Sequence, residues 1–413
     1  MFSLDRFYHI LHDNLISNFV NSKSFYFHPF GTYDAIATID PYSKTTVVPY
    51  LEYNERRNLL RFEGEKTSFY CHFYDQEPLF PETPYPIPAA YDDTMDRQRR
   101  VVLIANSEKS EFKNEFVKRN KYHHDWYYFF HGFAALDWYR DFQYFDSKSF
   151  ENFDKVFICY NHLISNYRSY RLHVIANIIE NKLLDKGYVS FFLKDDYGTW
   201  QQAVKDPHTL LSDAAKIKIV KNVGKLKAPL IIDTDSPNGS MSAGAALPEL
   251  TKALWHVVTE TIYFQPKLHL TEKIFKPIVA KRPFLLVAAP GNLAYLKSYG
   301  FKTFDRWIDE SYDNETDNFK RIEMITAELT KLCSLSKAEL KQMHSEMQEI
   351  LEYNHQHFYG EFKKIIVNEL VDNFCWILAR INNGRIPNNH SRYHCRFDLP
   401  EGHAELVKRR LLL

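Results

Sequence analysis

Along the first 20 residues apolar side chains recur at helical spacing (Phe2, Leu4, Phe7, Ile10, Leu11, Leu15), which predicts an amphipathic helix. Runs at 45–50, 68–74 and 101–105 predict strands. Between them, the passage from Pro78 to Pro88 holds too much proline for regular structure and reads as a surface loop. Residues 126–145 are dense in Trp, Tyr and Phe. From about residue 155 the pattern sharpens. A short apolar run at 156–160 predicts a buried strand, 189–193 and 284–288 predict further strands, and 229–233 and 254–259 read as extended. Residues 171–184 carry Leu172, Ile175, Ile179 and Leu183 on one helical face, with Gly187 read as the stop. Helices are also predicted over 210–220, from Thr271 onward, and over 293–299 ending at Gly300. Beyond about 315 the reading is helical: Ser336-Lys337-Ala338-Glu339 is a capping box opening 340–351, and 362–381 is a second long amphipathic stretch. Residues 384–413 are polar, contain proline and read as a solvated tail.

Strands alternating with helices imply crossover units and hence an α/β fold with a parallel sheet. In such sheets ligands bind beyond the carboxyl ends of the strands, where helices begin. The chain of 413 residues is long enough for two or three domains. Lys+Arg and Asp+Glu stand at 52 each, so no bulk field draws the protein to nucleic acid or a membrane. No apolar run reaches the roughly 18 residues of a membrane-spanning helix, and no secretory signal opens the chain. The expected setting is cytoplasmic, without membrane partners. The five cysteines are scattered with no C-x-x-C spacing, which fits reduced thiols and selects neither disulfides nor zinc.

The densest chemistry lies at Leu270-Thr271-Glu272-Lys273-Ile274-Phe275-Lys276-Pro277. A hydroxyl, a carboxylate and an ammonium occupy the first turn of a helix, where unpaired N–H groups and the helix dipole favour a phosphate. Such a carboxylate can accept from both ribose hydroxyls while the ammonium meets a diphosphate. The same pattern also describes a capping threonine followed by two solvated charges. Lys276, one turn on, either assists or belongs to the solvated face. Asp233-Thr234-Asp235 has the D-x-D form of a metal motif, but the following Ser236-Pro237-Asn238-Gly239-Ser240 reads as a mobile loop. No His or Cys spacing selects a metal, and there is no G-x-G-x-x-G, P-loop or H-E-x-x-H.

Thr271-Glu272-Lys273, preceded by Val257-Val258-Thr259-Glu260-Thr261 and followed by Pro283-Phe284-Leu285, resembles the donor-binding signature of fucosyltransferases and related GT-B enzymes. A looser resemblance to bacteriophage glycosyltransferases runs from about 65 to 325. It is carried by 284–291, by Leu296-Lys297-Ser298-Tyr299-Gly300-Phe301-Lys302-Thr303-Phe304, and by Asp309-Glu310-Ser311-Tyr312-Asp313. The resemblance implies two Rossmann-like domains facing across a cleft: an acceptor-side domain over 1–150, a nucleotide-sugar-binding domain over 151–335, and a helical extension over 336–413. It implies an inverting, metal-independent glycosyltransferase with no cofactor beyond a nucleoside-diphosphate sugar. Lys273 would hold the diphosphate, Glu272 the ribose, with Thr271 and Glu260 completing the donor site. Arg171, or Arg168, in the strand–helix turn after residue 160 would supply a second phosphate-binding cation, against the plain reading of a surface arginine. Glu77 in Phe73-Tyr74-Asp75-Gln76-Glu77-Pro78 is similar to the Glu-Ser-Pro catalytic segment of fucosyltransferases. Pro here follows Glu directly, so Asp75 competes as base, and a loop-capping carboxylate is the plain alternative. The acceptor would be a glycan or a hydroxylated base of phage DNA, the latter placing the enzyme in host cytoplasm. From another class, the chain would be a catalytically inactive GT-B scaffold serving as a binding or virion-associated protein.

Overall fold

A computed structural model describes residues 24–28, 45–47, 68–74, 100–106, 123–128, 152–232, 247–369, 371–372, 405 and 408–409. The chain divides into two compact units, Met1–Leu136 with Lys363–Leu413, and Asp137–Phe362. The helices up to Phe362 group with the second unit, and Lys363–Leu413 groups with the first.

In the first unit five parallel strands are described: β1 (Ser24–His28), β2 (Thr45–Val47), β3 (Ser68–Tyr74), β4 (Arg100–Asn106) and β5 (His123–Tyr128). Their order is β2-β1-β3-β4-β5. The chain steps outward from β1 to β2, returns to the other side of β1 and continues, a 2-1-3-4-5 winding that reverses between β1 and β3. β1 and β5 were not expected from the sequence, where aromatic and polar residues mask any alternation. Asp75 and Glu77 follow Tyr74, the last residue of β3, and lie outside the described residues. So do residues 1–20, where a helix is expected from the sequence, the proline-rich passage and Asp233-Thr234-Asp235.

The second unit is α/β. Its elements run β6 (Lys155–Asn161), α1 (Tyr170–Glu180), β7 (Gly187–Phe191), β8 (Lys194–Asp195), β9 (Gly198–Thr199), α2 (Trp200–Lys205), α3 (Asp213–Val223), α4 (Leu247–Lys252), β10 (Ala253–Thr259), α5 (Glu272–Val279), β11 (Phe284–Val287), α6 (Asn292–Ser298), α7 (Asn318–Ser334) and α8 (Lys337–His357). A π-helical turn, Phe358–Phe362, follows α8. Four strands form a parallel sheet in the order β11-β10-β6-β7, and β8 and β9 make a small antiparallel hairpin. Counted from β6, this sheet winds 2-1-3-4, the same sense of return as in the first unit.

β10 is buried at every position, as a central parallel strand covered on both faces should be. α1 is buried from Tyr170 through Ile178, packed against α3 and α7. α3 starts at Asp213, later than the apolar pattern alone implies, because the Ser212 side chain accepts from Ala215 N–H as its N-cap. α2 was not expected; a capping box between Thr199 and Gln202 starts it. Gly187 is not the stop of α1. Lys182 takes the left-handed conformation (φ 57°) after the helix ends, and Gly187 opens β7. Glycine is required there by close approach: a Cβ would lie 2.3 Å from the Phe157 ring.

Buried arginines tie the connections to this sheet. Arg321, 1% exposed, donates from Nε to Ala288 O (3.1 Å), from Nη1 to Glu315 O (2.7 Å), and from Nη2 to Tyr263 O and Asn318 Oδ1 (both 2.8 Å). Its guanidinium also lies 4.2 Å from the Tyr263 ring centroid. Arg321→Ala strands three carbonyls in the interior, so the urea midpoint should fall by the equivalent of about 3 kcal/mol or more. Arg321→Lys should recover little of that loss, because an ammonium cannot span the fork of a guanidinium. An unchanged midpoint in Arg321→Ala would refute this role.

Candidate functional site

The chain leaves β6 through α1 for β7 on one side, then returns to place β10 on the other side of β6. The connections after β6 and β10 therefore diverge, and the carboxyl ends of these two strands form the switch point where open α/β sheets hold ligands. Of the residues singled out from the sequence of this unit, Arg171, Glu260, Thr271, Glu272 and Lys273 converge there. Thr259 Oγ1, at the end of β10, lies 3.0 Å from each of Tyr160 O and Asn161 Oδ1 at the end of β6, with one proton to donate between them. Asn161 Nδ2 in turn lies 3.2 Å from Cys159 Sγ. Burial pushes that thiol up to about 11, against the Asn161 hydrogen bond and the Arg171 charge.

Thr271 is the N-cap of α5, its backbone extended and its hydroxyl accepting from Lys273 N–H. The same hydroxyl donates to Glu260 Oε2 at 2.6 Å, while Thr271 N–H donates to Glu260 Oε1 at 3.2 Å. Glu260 is completely buried. Burial raises its carboxyl above the usual range, opposed by the Lys273 ammonium and the Thr271 hydroxyl. Both of its oxygens are engaged by Thr271, Oε1 by the N–H and Oε2 by the hydroxyl.

Lys273 Nζ donates to Glu272 Oε1 at 2.7 Å, to Thr271 Oγ1 at 3.1 Å and to Thr261 Oγ1 at 3.5 Å. Glu272 and Lys273, expected to engage a ligand, are thus an ion pair with each other, each just over a quarter exposed. Lys276 Nζ stands 5.3 Å from the Tyr160 ring centroid.

Arg171 is not a surface arginine. It is buried in the second position of α1, and its guanidinium donates to Leu163 O (2.9 Å), Thr259 O (3.0 Å) and Glu260 O (3.2 Å). What the structure gives it is a clamp between the two diverging connections. The Tyr170 hydroxyl donates to Glu260 O as well, and its ring stacks on Tyr263 at 4.3 Å. Arg168 lies on a 3-10 turn (Asn166–Arg168), 92% covered, with its guanidinium 4.4 Å from the Tyr167 ring centroid.

Sequence reasoning missed Asp195. From the β8–β9 hairpin its carboxylate accepts from Ile164 N–H (2.7 Å), Ser165 N–H (2.9 Å), Ser165 Oγ (2.9 Å) and Tyr197 N–H (2.9 Å). It holds from outside the connection that Arg171 holds from inside. The only sequence signal was the Asp195-Asp196-Tyr197-Gly198 turn. Thr261 was within the quoted motif but had no assigned role.

Among the described residues no group of three or more His, Cys, Asp and Glu is placed to hold a metal ion, and no helix is long and apolar enough to cross a membrane. The protein-family models yield no match to this sequence, and neither do the curated proteins.

Burial raises the Asp195 carboxyl, but the hydrogen bonds from Ile164, Ser165 and Tyr197 outweigh it and hold the group below the ordinary carboxylate range. Its contribution to stability is therefore complete above the ordinary Asp value of about 3.9 and is lost as pH falls through the lower folded value. Asp195→Asn should melt earlier than wild type at pH 7, and the gap should close in acid. A gap of equal size at both ends of the titration would rule this out.

Proposed function

We propose that the chain is a GT-B-type glycosyltransferase that moves a sugar from a nucleoside-diphosphate donor to an acceptor hydroxyl. The observation that carries this reading is the Glu272–Lys273 pair at the capped start of α5, standing at the switch point of the sheet. Sugar transfer builds negative charge on the departing diphosphate, and a cation at a helix N-terminus answers that charge. In this reading the nucleotide breaks the ion pair. Glu272 turns to the ribose hydroxyls and Lys273 to the diphosphate, while Arg171 supports the site through main-chain carbonyls. The matching 2-1-3-4 winding of both sheets supports a chain built from two Rossmann-like halves. Glu77, with Asp75 as its competitor, is assigned the acceptor proton, and in-line attack inverts the anomeric centre. No metal is required by this scheme.

The ion pair makes a test of opposite signs. Glu272→Ala should bind inorganic pyrophosphate more tightly than wild type, because Lys273 is released, yet bind the donor nucleotide more weakly, because the ribose contact is gone. Lys273→Ala should weaken both. Calorimetry showing both variants with wild-type affinity for GDP, UDP, ADP and CDP would overturn the site assignment.

A second reading, an inactive scaffold that binds without transfer, is favoured by one observation: the Arg171 guanidinium is already committed to three carbonyls. The two readings part on slow hydrolysis across a panel of sugar nucleotides, which an enzyme shows and a dead scaffold does not. For the acceptor we propose a glycan or a hydroxylated base in DNA. The DNA acceptor requires the base to leave the stack and the phosphate backbone to be gripped, so activity on it should fall steeply with salt.

A further inference from the structure

The three partners of the Lys273 ammonium differ in how firmly they are held. Thr271 and Thr261 are 1% and 4% exposed, whereas the Glu272 side chain is 27% exposed. Two buried hydroxyls therefore contact the ammonium, and the carboxylate of the adjacent, more exposed residue completes its contacts. Behind Thr271 stands Glu260, with no exposed surface and both oxygens on Thr271. A hydroxyl has one proton and two lone pairs. The Thr271 proton goes to Glu260 Oε2, so its lone pairs are turned toward Lys273, where N lies at 3.4 Å and Nζ at 3.1 Å. Without the carboxylate the hydroxyl would be free to rotate and point its own proton at the ammonium.

We propose that Glu260, acting through the Thr271 hydroxyl, is a positioning residue that keeps the Lys273 ammonium aimed at a diphosphate after Glu272 has exchanged away. This rests on the donor-site reading above and deepens it: Glu260 touches no ligand and works on the diphosphate only through Thr271 and Lys273. The arrangement separates two tasks among neighbouring carboxylates. Glu272 is the one that a ligand displaces, and Glu260 is the one that never moves. It also gives a fully buried carboxyl beside the site two hydrogen-bond partners on one residue, with a cation one hydroxyl further on.

The role predicts a selective loss. In calorimetry with GDP, UDP, ADP and CDP and the matching nucleosides, Thr271→Val should weaken diphosphate binding about tenfold, the worth of a hydrogen bond to a charged group. Nucleoside binding should be unchanged, and Thr271→Ser should restore the diphosphate affinity. Glu260→Gln should lose affinity in the same direction, and Glu260→Gln combined with Lys273→Ala should be no weaker than Lys273→Ala alone, because the effect passes through the ammonium. The Val and Ser variants keep the test decisive if Glu260→Gln does not fold. Equal losses for nucleoside and diphosphate, additivity with Lys273→Ala, or no rescue by serine would each overturn the positioning role while leaving the donor site standing. A folded wild-type protein that binds none of the four diphosphates would instead remove the donor site, and the positioning role with it.

Discussion

A carboxylate removed from water beside the head of a helix is the constraint on which the second unit's switch point depends. A buried charge is costly unless hydrogen-bonded and paired, and Glu260 is answered by both N–H and O–H of Thr271, with the Lys273 ammonium one hydroxyl further on. Its main chain is as heavily used. Glu260 N–H donates to Val287 O of β11, and its carbonyl accepts from Tyr170 and Arg171 of α1. One residue thus joins the two central connections, the neighbouring strand and the start of α5. Displacing it would disturb all four together.

Buried guanidinium groups set the frame around that residue. Arg282 Nη2 donates to Thr251 O just before β10, and Arg171 Nη2 donates to Thr259 O at its end, so the central strand is bracketed at entry and exit. Arg321 does the same for the connections after β10 and β11. Several donors in a rigid plane suit this work: each guanidinium satisfies carbonyls from separate segments that no regular hydrogen-bond ladder reaches. Their burial is therefore structural in origin, and in the case of Arg171 it limits what the side chain has left to offer a phosphate.

The segments 296–304 and 309–313 find a physical account in packing. Glu310 accepts from Thr303 Oγ1, Phe304 N–H and Lys297 Nζ, closing the turn that follows α6. Asp313 accepts from Leu293 and Ala294 N–H and so caps the first turn of α6. Aromatic side chains behave likewise. Phe275 of α5 packs on Phe358 and Phe362 of the π-helical turn, which seats the helix that begins at Thr271. These residues are accounted for by packing and capping, and the polar residues that carry the proposed site lie at the strand ends.

The sequence by itself determined the elements whose signals are local. Apolar runs marked β6, β7, β10 and β11, and a threonine before Glu272-Lys273 marked the start of α5, because caps and periodicity act within a turn or two. It also marked out the crossover architecture of the second unit. The partners of Arg171, Asp195 and Glu260 were decided by the tertiary structure alone. Arg171 reaches a carbonyl 88 residues away, Asp195 a pair of N–H groups 30 and 31 residues away, and Glu260 a helix cap 11 residues on. Which strand ends lie side by side is fixed by sheet order, and sheet order leaves no mark in any short stretch of chain. That is why the Thr271 partner of Glu260 was not legible in the motif, and why Asp195 did not look like a site residue at all.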